Sequence, residues 1–70
     1  MNQALHANLA SAYDQAARLE TLAKQLRFNI GRMEVNPAGF AHEQVALAGV
    51  ALVLRDQCVD LSKFICEIEP

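Results

Sequence analysis

The 70-residue chain is poor in the residues that usually carry chemistry or covalent reinforcement. Its three glycines are scattered, so there is no glycine-rich loop to cradle a phosphate. It has two cysteines, Cys58 and Cys66, eight positions apart. On a helix that is about 12 Å of rise, while a disulfide needs Cα atoms within about 7 Å. The two thiols therefore cannot bridge one another within a chain. They are expected to be free and buried, as small apolar side chains; a bridge between two chains is the other reading. The two histidines, His6 and His42, lie far apart, and no Cys or His cluster has zinc spacing. His42-Glu43 opens like a metalloprotease helix, but Ala46 stands where the second His is required. Ser11 and Ser62 have no base at helical spacing. No cofactor, metal, small-molecule substrate or enzymatic activity is expected.

Long apolar runs are also missing. The longest, Val45 to Leu54, has ten residues, and a membrane span needs about 20. The opening residues lack a basic start followed by an apolar run, so the chain reads as soluble and cytoplasmic. Charge is sparse as well. A net charge of −2 argues against an electrostatic grip on nucleic acid or anionic lipid. It is unevenly placed, with +1 over residues 1–35 and −3 over residues 36–70.

What the chain does have is apolar side chains, at 53%, arranged with a helical period. Leu5, Leu9, Ala12, Ala16, Leu19, Ala23, Leu26, Ile30 and Met33 follow an unbroken 4,3 spacing, the mark of an apolar seam on a long helix. This helix is expected over about 3–33. Gly31 ends it as a left-handed residue, or the helix continues to Glu34 because Met33 keeps the seam. Asn36-Pro37 then begins a second helix, with Asn36 as N-cap and Pro37 in the first helical position. The turn spans about 31–36 and helix 2 about 37–68.

The seam of helix 2 is Phe40, Leu47, Ala51, Leu54, Cys58, Leu61, Ile65 and Ile68. A second stripe runs beside it: Ala41, Val45, Ala48, Leu52, Val59 and Cys66. Together they cover more than half the helix, whereas a helix facing one neighbour needs an arc of little more than about 100°. Two helices of similar length joined by a short turn pair antiparallel. The expected layers are Met33–Phe40, Leu26–Leu47, Leu19–Leu54, Ala12–Leu61 and Leu5–Ile68. The fold class is thus all-α, one domain over 1–70, a two-helix hairpin. So short a chain buries little core on its own, and the hairpin is expected to dimerise into a four-helix bundle, with the relative direction of the hairpins open.

The dimer interface is placed on the second stripe, at Ala48, Leu52, Val59 and Cys66. Arg55 lies there too, beside Gln44 and Ser62, either lining a wet seam or fixing register by pairing with Glu20 or Asp14. On the outer face of helix 1, Arg18, Gln25, Phe28 and Arg32 form a candidate partner-binding stripe, since aromatic and Arg side chains are enriched in binding hot spots. The competing reading folds Phe28 over the loop against Val35 or Pro37. Val53 and Phe64, with Tyr13, form a second candidate groove.

With the seams Leu5–Met33 and Phe40–Ile68 joined at Asn36-Pro37, the chain resembles small dimeric helical-hairpin regulators. Two kinds are similar in architecture: the plasmid copy-number RNA-binding hairpin, and phage-encoded hairpins that inhibit host transcription factors or pilus motors. The resemblance covers the whole chain and rests on heptads and a turn, so no functional residue is carried over from it. It implies a dimer without chemistry that binds and blocks a partner. The leading expectation is a non-enzymatic protein-binding regulator: an inhibitor, anti-activator or adaptor. The alternatives are a nucleic-acid-binding dimer using Arg18, Lys24, Arg27 and Arg32, or a structural subunit of a larger assembly.

Overall fold

The computed structural model describes residues 3–69; the ends of the 1–70 domain, residues 1, 2 and 70, lie outside the described residues. Helix α1 spans Gln3–Val35 and helix α2 spans Phe40–Glu67, with a single 3-10 turn, Pro37–Gly39, between them. The two helices pack side by side as an antiparallel hairpin, a rod of 57 × 15 × 11 Å.

Helix α1 does not stop at Gly31. No glycine among the described residues has positive φ, so Gly31 is an ordinary helical residue and the helix continues one turn past it. Arg32 sits in the last turn, where a cation meets the negative end of the helix dipole. The Asn36 N–H still reaches the Arg32 carbonyl at 3.0 Å. Pro37, which has no N–H to offer, then closes the helix.

The start of the second helix differs from the expectation. Pro37 does occupy a first helical position, but of the 3-10 turn, and the Asn36 side chain makes no capping bond. The turn is held by Gly39 N–H to the Asn36 carbonyl, at 3.4 Å, and by Phe40 N–H to the Pro37 carbonyl. These are i to i+3 bonds, the tighter winding common at helix ends. Only from Phe40 does the chain wind as an α-helix, with Glu43 in its first turn, on the favourable side of the dipole.

The core is thin. Ala12, Leu19 and Leu47 are the buried apolar residues; Leu5, Leu26, Met33, Leu54, Leu61 and Ile68 are half-buried. All belong to the expected layers, but Phe40, expected opposite Met33, is 42% exposed at the turn. The other half of each seam behaves differently. Leu9, Ala16 and Ile30 on α1, and Ala51, Cys58 and Ile65 on α2, are exposed. The helices lean instead toward the opposite flank, where Asn8, Gln15, Leu22 and Asn29 of α1 and Glu43, Val50 and Phe64 of α2 are half-buried. That flank holds Leu22, Val50 and Phe64 among polar residues, while the other holds Leu9, Ile30 and Ile65 among the small Ala16, Ala23, Ala51 and Cys58. The continuous seams expected from the spacing therefore divide. One residue per heptad faces the partner helix, and the next faces outward.

Candidate functional site

In an antiparallel pair of right-handed helices, positions four beyond each layer residue fall on one side of the hairpin, and positions three beyond fall on the other. The structure shows the second set together: Gln15 of α1 and Gln57 of α2 line one cleft, with Arg18, Leu19 and Asp60. This side is polar. The opposite side carries Leu9, Ala16, Ala23 and Ile30 from α1 and Ala51, Cys58 and Ile65 from α2. Ala23 and Ile30 line the cleft there with Leu26 and Leu54, and Arg27, Gly31 and Glu34 close its end near the turn. Leu9 and Ile65 are each 53% exposed and Ile30 48%, high values for aliphatic side chains with helical neighbours.

The residues expected at a dimer interface continue this apolar side around α2. Ala48, Leu52, Arg55, Val59 and Cys66 are all exposed, as are Ala41 and Val45. Cys58 and Cys66 are free and exposed, so a single chain does not supply the burial expected for the thiols. Arg55 does not reach Glu20 or Asp14 within the chain. Its Nη2 lies 3.3 Å from the adjacent Asp56 Oδ1 and its Nε 3.4 Å from the same oxygen. Both partners are largely exposed, and such surface pairs contribute at most about 1 kcal/mol.

A second surface lies on the outer face of α1, near the turn. Phe28 is 69% exposed and Val35 87%, so Phe28 does not fold away under the loop. Two shallow grooves meet at Phe28. One is lined by Lys24, Arg27, Gly31, Arg32, Val35 and Asn36, the other by Thr21, Lys24, Gln25 and Asn29. Of the expected partner-binding residues, Gln25, Phe28 and Arg32 therefore gather here, while Arg18 faces the polar cleft instead. Lys24, Arg27 and Val35 belong to the surface and were not expected in it. Val53 is exposed and Phe64 half-buried, and Tyr13 is 76% exposed; no groove unites these three.

Three cations line the first groove and no carboxylate does. Lys24 pairs with Glu20 at 3.6 Å across an exposed i,i+4 contact; Arg27 and Arg32 have no ion pair among the described residues. Gly31 sits between Phe28 and Val35. A Cβ added at Gly31 would meet nothing within 4 Å, so the fold of the chain itself does not require glycine there. In a helix interior, glycine costs about 1 kcal/mol relative to alanine.

Among the described residues no group of His, Cys, Asp and Glu could hold a metal ion, and no helix is long and apolar enough to cross a membrane. No family model, curated protein or solved structure matches the chain.

Proposed function

We propose that the protein is a non-catalytic protein-binding regulator that works as a homodimer, two hairpins forming a four-helix bundle that docks on another protein. The observation that carries this reading is the uncovered apolar side, from Leu9 to Ile30 on α1 and across Ala51, Cys58, Ile65, Leu52 and Val59 on α2.

Surface area supports a second copy as its cover. A folded monomer of this mass, 7.7 kDa, exposes about 4300 Å², whereas this chain exposes 5671 Å². A compact dimer exposes about 7200 Å² by the same scaling. Bringing two separate chains to that value buries about 4100 Å², within the range of about 2000–5000 Å² found for obligate homodimers. With only Ala12, Leu19 and Leu47 buried among the described residues, the chain gains its missing core in the same step. The interface then combines Ala48, Leu52, Val59 and Cys66 with the outward half of the α1 seam.

In that dimer Cys58 and Cys66 are packing groups, not staples. Replacing both by Ala is expected to leave a dimer of unchanged mass that melts a few degrees lower. Light scattering and a melting curve check this, and a wild-type chain that runs as a dimer only on a non-reducing gel would contradict it.

Regulation by binding is supported by the outer patch around Phe28, which lies on the face of α1 away from α2 and shares only Arg27 and Gly31 with the cleft at Ile30 and Leu54. Retention of partners from a bacterial lysate on the immobilised dimer, with and without nuclease, tests the class of partner. One protein kept after nuclease is the expected result. Loss on nuclease would instead favour the nucleic-acid reading, whose cations Lys24, Arg27 and Arg32 lie in the same patch.

A further inference from the structure

We infer that the groove around Phe28 and Gly31 is the docking site, and that its ligand is an acidic amphipathic helix of the partner protein, lying along the outer face of α1. The inference rests on the protein-binding reading above and adds the partner's chemistry.

Three features converge. Phe28, Gly31 and Val35 are spaced at i, i+3 and i+7, on one face of a helix. The two large apolar side chains stand apart with glycine between them, so a notch opens on the helix surface. A knob from a second helix fits such a notch, because the missing side chain lets the neighbouring backbone come close. The chain itself places nothing within 4 Å of a Cβ at Gly31, so the space is available. Charge then selects the ligand. Lys24, Arg27 and Arg32 rim the notch, with no carboxylate lining it, so glutamates flanking an apolar knob meet cations on arrival. Planar guanidinium groups take carboxylates through paired hydrogen bonds. Amphipathic helices that dock in grooves present anchors at this spacing.

The same cations could face phosphate, but the rest of the patch does not suit it. The groove is bordered by the large apolar side chains Phe28 and Val35, which suit an apolar knob and offer a phosphate nothing.

The probes are two labelled helical peptides with leucines at heptad a and d positions, one flanked by glutamates and the other by lysines. A single-stranded RNA and vesicles of anionic lipid serve as competing ligands. Fluorescence anisotropy against the full chain should give a dissociation constant on the order of 10 µM for the acidic peptide. That value should rise at high salt, and the lysine peptide, RNA and vesicles should not bind. Phe28→Ala should weaken acidic-peptide binding about thirtyfold, as for loss of a hot-spot side chain, with unchanged circular dichroism. The double variant R27Q/R32Q should weaken it at least tenfold.

Gly31→Ala separates binding from folding. It should raise the melting temperature by several degrees, as expected for glycine to alanine in a helix, while weakening the acidic peptide. Equal binding of the lysine peptide, preference for RNA or vesicles, or full acidic-peptide binding by Phe28→Ala and Gly31→Ala would each overturn the inference. Light scattering of the same samples keeps the two readings apart. Peptide binding by a monomer would sink the homodimer and spare the groove; a dimer that ignores the acidic peptide would do the reverse.

Discussion

Ile65→Glu will abolish cooperative folding of the protein at micromolar concentration. In one chain Ile65 is 53% exposed, and an exposed substitution of this kind normally changes stability by no more than about 0.5 kcal/mol. A hairpin that folded by itself would tolerate it. Ile65 lies on the uncovered apolar side with Leu9, Cys58 and Ala51, and in the proposed bundle a glutamate there is buried twice, once in each subunit. An unpaired charge taken out of water costs several kcal/mol, against a stability of about 3–5 kcal/mol for a core of this size. Thermal melting followed by circular dichroism decides the matter. Loss of the transition is expected; a normal melt from a normal dimer would show that this side is not the interface.

Leu19→Asp has an equally large expected effect through a different contact. Leu19 is one of three buried side chains among the described residues and lies in the central layer between α1 and α2. The aspartate loses the apolar burial of leucine, about 1.5–3 kcal/mol, and adds an unpaired charge. The two penalties together exceed the available stability, so the helical signal should collapse in water. Asp60→Ala, at an exposed position on the rim of the polar cleft, is the control and should change stability by no more than about 0.5 kcal/mol. Similar melting curves for the two variants would mean that the phase of the helices is wrong.

The layers were legible in the sequence because each heptad places one large apolar residue on the shared axis. Leu5, Leu19, Leu26 and Met33, with Leu47, Leu54, Leu61 and Ile68, are all buried or half-buried. The division of the seams was not legible. The stripe Leu9, Ala16, Ala23 and Ile30 has the same period as the layer residues, and periodicity alone does not say which of two adjacent stripes a single neighbour covers. The lean toward Leu22, Val50 and Phe64 is a property of the packed pair, which a spacing rule on one helix does not contain.

The patch proposed for docking was half visible for a related reason. With Gly31 open as a possible terminator, helix 1 had no certain face beyond Ile30. Once the helix continues through Gly31 to Val35, Val35 falls on the face of Phe28, and Lys24 and Arg27 line the same groove. The signal that could have found them was present: Met33 keeps the heptad, which favours continuation. Arg18 was misplaced by the same arithmetic, because the lean of the helices turns it toward the polar cleft and Asp60.

The mass of the folded protein in solution tests the central claim most directly. Light scattering coupled to size exclusion, at micromolar concentration and in reducing buffer, should give twice the chain mass of 7.7 kDa, with melting that shifts upward as concentration rises. A species of 7.7 kDa with a cooperative, concentration-independent transition would contradict it.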